Sequence, residues 1–558
     1  MSFLQTPPQL AHPYRSDRVL QSCMRRLLPH ALADEFDRCA MELGQLVAED
    51  LYPQQLAERL VEPRLVQWDA WGRRIDRIEL TPLWQRMPEI VARHGLVWHG
   101  YDKAKGAHAR VFQFGLVYLY TPASDFYACP LAMTDGAARV LIESGNKALI
   151  QRAVPRLSSR DRDSLWTCGQ WMTETTGGSD VSRSETRAEQ DAEGQWRLHG
   201  RKWFTSAATS EASVLLARPA GNPAGADGLA LYYLEPRDRD GHLRQIEIDR
   251  LKDKLGSRKL PTAELRLFGA PAELIGARDH GVRAIAPLLN VTRVWNSIAA
   301  VSYFRRGLQL LRDYAERREV FGSPLRDRPL HKETLAGLQA EFEAGFHLSF
   351  YIVELLGKAE QGQLDERQRL LLRLLTPVAK LLTAKQAVAG LSEVVEGFGG
   401  AGYVEDTGIP GLLRDAQVFS IWEGTTNVLA LDVLRVLRGA GGLGGVLSGL
   451  LGILGQAGDE QRDIVRAVRE TFESAQRWLV DSESGPPEAQ EAGARELAIT
   501  IGRAFALALL ARHAGWALRA EGDPRPAAAA RRFLRHGINR LGAAPLNDST
   551  LLAWDQLP

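Results

Sequence analysis

At 558 residues the chain is longer than one compact core, and three or four folded units are expected. Apolar residues make up 45% and charged residues 25%, as in a soluble globular protein. The formal net charge is +1, so no global field favours nucleic acid or a membrane surface, and any such affinity must come from a local patch.

The four cysteines, Cys23, Cys39, Cys129 and Cys168, form no C-x-x-C pair. A reduced, cytoplasmic setting is expected, with neither a disulfide framework nor a metal site. The N-terminal MSFLQTPPQLAHPYRSD lacks the charged-then-apolar pattern of a signal peptide.

Residues 1–170 read as helical, punctuated early by Pro7, Pro8, Pro13, Pro29 and Pro53. LVAEDLYPQQLAERLVEPRLVQW offers helical spacing with breaks. PLWQRMPEIVARHGL and AARVLIESGNKALIQRAVPRL place apolar residues at i, i+3, i+4 and i+7. Over 171–280 the period changes. WRLHGRKWF, ASVLLARP, LALYYLEP, IEIDRL and TAELRLF are short β-rich runs separated by turn formers, which predicts an antiparallel β-domain. Over 281–438 the helical period returns in three long segments and a shorter NVLALDVLRVLRG, the pattern of a helix bundle. The remainder, 439–558, begins with GAGGLGGVLSGLLGILGQAG. That stretch is uncharged over about one membrane thickness, but its glycines disfavour a helix in water. It reads as a flexible link to a C-terminal helical domain, and no membrane partner is expected.

Five segments can carry chemistry. WMTETTGGSDV (171–181) pairs two glycines with hydroxyls, a turn suited to flavin or phosphate oxygens or to a plain interdomain corner. RKWFTSAA (201–208) ends a strand with two aromatics and two hydroxyls. RREVFG (317–322) sets a guanidinium near an aromatic, for capping a helix or clamping a pyrophosphate. EGFGGAGY (396–403) follows a helix rather than a strand, which argues against a dinucleotide fingerprint. SIWEGTTNVLALD (420–432) puts Glu423 just before a helix that Thr425 or Thr426 can cap. Glu423 is either a carboxylate favoured by the helix dipole or a catalytic base.

In this order and spacing, MTETTGGSD, KWFTS, RREVFG, EGFGGAGY, LLRDAQVFSIWEGTTNV and LDVLR resemble the acyl-CoA dehydrogenase family. DAWGRRIDRIELTPLWQRM, RLKDKLGSR and the extra C-terminal region further resemble its AidB-like subfamily of alkylation-response flavoproteins. The resemblance implies a mainly α fold with a central β-barrel: an N-terminal helical domain, the barrel, a four-helix bundle and an added C-terminal helical domain. It also implies FAD, a homotetramer, an acyl-CoA thioester or related small molecule, an electron-transfer partner for an active enzyme, and double-stranded DNA as a further partner.

Carried onto this chain, the resemblance puts Met172, Thr173, Gly178 and Ser179 beside the isoalloxazine. Phe204 and Ser206 close its face. Arg318 and Phe321 reach the FAD of a neighbouring subunit, and Glu396, Gly397, Gly399 and Gly400 hold the adenosine-pyrophosphate part. Thr425 and Asn427 add contacts, Thr292 and Arg293 bind substrate, and Glu423 is the base. Two departures stand out. The family's T-E-P reads Thr173-Glu174-Thr175, and the acid before T-R is replaced by Asn290.

Two functions follow as expectations. One is α,β-oxidation of an acyl thioester through Glu423. The other is a DNA-binding protective flavoprotein with vestigial dehydrogenase activity. The second draws on eight arginines between 503 and 540, opposed only by Glu521 and Asp523. Arg519, Arg531, Arg532 and Arg535 are its candidate phosphate contacts.

Overall fold

The computed structural model describes residues 5–542 and 546–554. The chain is mainly helical with a central β-barrel, as expected. Its first helices are placed by caps that also tie distant segments together. Asp17 accepts from the amides of Val19 and Leu20 at 3.1 Å, starting the helix Arg18–Leu27. Its other oxygen takes Arg305 Nε (2.9 Å) and the Tyr118 hydroxyl (2.7 Å). One buried carboxylate thus starts a helix and pins the N-terminal segment to the bundle.

The barrel strands follow the alternating runs. Trp196–Ser206 pairs with Thr262–Leu274, which also pairs with Ile246–Leu251 and Ala230–Leu234. Ala230–Leu234 pairs with Ala212–Pro219, which returns through Arg187–Gln190 to Trp196–Ser206, closing a ring to which Ile246–Leu251 and Cys168–Gln170 attach as edge strands. Two pairings correct the antiparallel expectation: Cys168–Gln170 and Arg187–Gln190 both run parallel to Ala212–Pro219. The Trp196–Ser206 pairing slips between Lys202 and Thr205, a bulge that turns Trp203 and Phe204 outward.

A second correction lies in the stretch read as broken helix. Arg64–Trp68 and Arg74–Glu79 form a β-hairpin. It survives because the barrel satisfies it: the Ile248 amide donates to Asp76 (2.9 Å), and Gln67 and Arg74 donate to the Ile248 carbonyl (2.9 and 2.8 Å). Local spacing carries no trace of those partners.

The helices Ala286–Arg317, Pro329–Glu360, Glu366–Gly397 and Thr426–Gly439 build the bundle. Phe304 seats on Gly390, where an added Cβ would lie 2.2 Å from the ring, so only glycine allows this approach. The link expected to be flexible is instead a helix, Gly444–Leu454, with Gly449 against Leu371. Tertiary packing overrides the poor helix propensity of its glycines. The 35-residue helix Pro487–Glu521 is apolar and long enough to cross a membrane, but 83% of its apolar window is buried inside the protein. It packs on Pro329–Glu360 and Thr426–Gly439 as a core helix.

Candidate active site

A cavity of about 530 Å³ lies where the barrel meets the helices, and Met172, Thr173, Gly178, Ser179, Phe204, Ser206, Thr292, Arg293, Glu423 and Thr425 all line it. Segments more than 200 residues apart in sequence converge there because the barrel's first turn and the bundle's last loop share one wall.

Glu423 sits between the turn Gln417–Ser420 and the helix Thr426–Gly439. Its backbone is left-handed, at φ +58°, and Gly424 follows at +99°. A non-glycine residue held there is strained, and such strain persists only where surroundings enforce it. Those surroundings are visible. Thr292 donates its hydroxyl to Glu423 Oε2 at 2.7 Å, and Arg293 Nε reaches the Glu423 carbonyl at 3.4 Å. Trp422 Nε1 donates to Asn296, which in turn donates to the Phe419 carbonyl at 3.2 Å. Lys380 Nζ donates to the Gly424 carbonyl at 2.6 Å. Thr425 occupies the N-cap position but makes no side-chain cap, so the capping role expected of its hydroxyl is not realised.

Burial pushes the Glu423 carboxyl above its ordinary value, while the Thr292 hydrogen bond and the charges of Arg293 and Lys380 pull it back. The same burial lowers Lys380 to about 7. Lys254, on the barrel side of the cavity, is lowered by burial to about 8. It donates to Thr262 Oγ1 (2.9 Å), which lies 3.3 Å from Ser206 Oγ.

The turn 172–179 is held from beneath by a buried ion pair, Lys202 Nζ to Glu174 Oε1 at 2.6 Å. Glu174 also accepts from the Thr186 hydroxyl (2.6 Å) and the Glu185 amide (2.6 Å). Despite the cost of burial, Lys202 holds the Glu174 carboxyl below the usual range. An added Cβ on Gly178 would fall 2.7 Å from Thr173 Oγ1, so any side chain there would displace the Thr173 side chain.

Three family models match successive stretches of the chain. Residues 5–164 match the adaptive response protein AidB N-terminal domain, 169–269 the acyl-CoA dehydrogenase middle domain, and 279–438 the acyl-CoA dehydrogenase C-terminal domain. Acyl-CoA dehydrogenase family member 11 of Caenorhabditis elegans is 41% identical over 531 residues, covering 92% of this chain and 86% of the relative.

The chain belongs to the acyl-CoA dehydrogenase family.

AidB of Escherichia coli is 32% identical over 433 residues, 76% of this chain and 77% of that one. The solved structure of C. elegans ACDH-11 in complex with C11-CoA superposes with a TM-score of 0.95 at 38% identity, covering 99% of this chain and 97% of that one. The acyl-CoA dehydrogenase of Bacillus anthracis complexed with FAD shares the fold at a TM-score of 0.73 and 17% identity, covering 93% of this chain and 88% of that one. FAD is the cofactor of the acyl-CoA dehydrogenase family.

The cavity suits that cofactor. Its apolar walls include Phe204 and Trp422, its hydroxyls come from Thr173, Ser179 and Ser206, and Gln170 Oε1 is buried beside it with no partner among the described residues. The other family residues stand elsewhere. Arg318 ends the helix Ala286–Arg317, and Phe321, at φ +49°, is 97% exposed. Glu396, Gly399 and Gly400 are exposed and Gly397 half-buried at the end of Glu366–Gly397. These two helix ends lie side by side, with Tyr314 against Phe398 at 4.7 Å. Asn427 is exposed and does not line the cavity. Asn290 faces a separate cavity of about 280 Å³, with Leu364, Arg369 and Arg373, so the lost acid does not alter the wall around Glu423.

Most of the C-terminal arginines are spent inside the chain. Arg503 pairs with Glu341 (2.9 Å), Arg512 with Glu354 (4.0 Å), Arg525 with Asp523 (2.8 Å), Arg532 with Glu333 (2.6 Å) and Arg540 with Glu496 (3.9 Å). The Arg532 pair ties the helix Arg525–Arg535 to Pro329–Glu360. Arg519, Arg531 and Arg535 are exposed.

Sequence reasoning assigned no role to Lys202, Lys254, Lys380 or Gln170. Lys380 left a signal: a lone lysine amid PVAKLLTA, within a helix whose neighbouring positions are all apolar or small.

Proposed function

We propose that this chain is an FAD-dependent oxidoreductase that oxidises an acyl thioester between Cα and Cβ, with Glu423 as the base. The observation that carries this reading is the half-buried Glu423 in the cavity wall, its carboxyl held by the Thr292 hydroxyl. Support comes also from the relative in complex with C11-CoA.

Met172, Thr173, Gly178, Ser179, Phe204 and Ser206 hold the flavin, which when bound supplies the two-electron acceptor for a hydride from Cβ. Arg318, Phe321, Glu396, Gly397, Gly399 and Gly400 serve a second copy's flavin in a homotetramer. Thr292 fixes the Glu423 carboxyl, and Arg293 and Asn296 fix the loop that carries it. Glu423 takes the Cα proton, which requires its ionised form.

Because burial raises the Glu423 carboxyl, the ionised base is lost as pH falls through that raised value. Anaerobic mixing with acyl-CoA thioesters of graded chain length should bleach the flavin, faster with rising pH along a single limb. No bleaching with any thioester would overturn the reading.

A second reading, association with duplex DNA, keeps Arg531 and Arg535 in view. They are exposed one turn apart on the helix Arg525–Arg535. Two phosphate contacts predict a fall of about 1.8 in the slope of log affinity against log salt when both are changed to Glu. An unchanged slope removes this face from any DNA interface.

A further inference from the structure

The clamp on the catalytic loop comes from a residue that never enters the cavity wall. Lys380 lies in the middle of the helix Glu366–Gly397 and is fully buried. A buried ammonium is costly unless it is hydrogen-bonded and its charge is compensated. Among the described residues its one hydrogen-bond acceptor is the Gly424 carbonyl, at 2.6 Å. That carbonyl belongs to the second of two consecutive left-handed residues, Glu423 and Gly424. The bond therefore grips the loop directly after its strained residue, Glu423.

Charge adds a second effect. Three helices bring groups to the Glu423 carboxyl, and Lys254 faces the same cavity from the barrel side. Thr292 and Arg293 come from Ala286–Arg317, Lys380 from Glu366–Gly397, and the Cys129 thiol from Ala128–Ser144. Arg293 is already engaged by Asp432 at 3.2 Å, and Asp432 is shared with Arg373 and Arg435. Among the described residues Lys380 forms no ion pair, and the negative charge that supports its ammonium is that of Glu423.

We infer that Lys380 is a positioning residue, which locks the Glu423–Gly424 backbone through the Gly424 carbonyl and lends its charge to keep Glu423 ionised. The inference rests on Glu423 being the base. It makes the loop and the base one unit: the bond that fixes the geometry also brings the charge that favours the active protonation state.

Three variants separate the two effects. Lys380→Met removes bond and charge, Lys380→Gln keeps a donor without charge, and Lys380→Arg keeps charge. One readout is the pH limb of anaerobic flavin reduction. The other is amide hydrogen exchange over 420–425 in the flavin-loaded protein, which needs no turnover. With Lys380→Met the limb should move to higher pH by about one unit, and exchange at Glu423 and Gly424 should quicken. Lys380→Gln should move the limb with less effect on exchange, and Lys380→Arg should restore the limb. A limb and exchange rates unchanged in Lys380→Met would overturn the inference. If that variant does not fold, an unmoved limb in Lys380→Gln does the same. Should Glu423→Gln still bleach with substrate, the base reading itself fails. An inactive Glu423→Gln beside an unmoved Lys380 limb instead isolates the failure to Lys380.

Discussion

Changing Glu423 to Gln should lower substrate-dependent flavin reduction by about 10²–10⁴-fold, the usual contribution of a positioned general base. The exchange is close to isosteric. Thr292 can still donate to the amide oxygen, and the Lys380 and Arg293 bonds are to backbone carbonyls and remain. The cavity and the resting flavin spectrum should therefore persist while proton abstraction is lost. Stopped-flow bleaching under anaerobic conditions measures the loss, and a rate within a few-fold of the parent would remove Glu423 from the role.

The same variant should be more stable near neutral pH. A carboxyl whose folded value is raised binds its proton more tightly in the folded state than in the unfolded one. Its ionisation thus costs stability as pH rises through the unfolded value, and the cost stands at neutral pH. Gln removes that cost. A Tm above that of the parent at neutral pH, converging with it under acid conditions, is the expected pattern. It is the mark of a base kept reactive by an unfavourable environment.

Changing Lys202 to Met should destabilise the chain by about 3–5 kcal/mol, because it leaves a buried charge without its partner. Glu174 and Lys202 are nearly inaccessible, at 2% and 0% side-chain exposure, and 2.6 Å apart. Lys202 also donates to the Leu216 carbonyl at 3.0 Å, so a barrel strand loses a tie as well. The damage reaches the cavity through a short path. Glu174 anchors the turn to Thr186 and Glu185, and the Trp203 amide donates to the Thr173 carbonyl at 2.9 Å. A loosened turn should release flavin, read as lower flavin content after gel filtration.

The pH trend should reverse as well. In the parent the Glu174 carboxyl is held below its ordinary value, so its contribution is present above the unfolded value and lost as pH falls. Without Lys202, burial is opposed only by the Thr186 and Glu185 hydrogen bonds, so the carboxyl rises and mild acid should cost the variant less stability than it costs the parent. Adding Glu174→Gln should recover much of the loss in urea unfolding, since the amide oxygen still accepts from Thr186 while the stranded charge is gone.

The sequence by itself determined the layered plan. The switch from a period near 3.6 to alternation past Trp171, and back after Gly281, needs only local spacing, and the barrel and bundle follow it. It also brought forward Thr173, Ser206, Thr292 and Glu423 as chemistry-bearing types in a recognisable order, and these share one cavity. Only the tertiary structure decided the rest. The hairpin Arg64–Glu79 exists because the barrel backbone accepts and donates to it, and Gly444–Leu454 is helical because Leu371 and its neighbours pack on its glycines. Neither Lys202 nor Lys380 has a partner legible in its own stretch of sequence; burial strips their water and leaves Glu174 and the Gly424 carbonyl as their partners. The strand and helix periods are properties of neighbouring residues. A desolvated charge is a property of everything folded around it, and no stretch of the chain carries it alone.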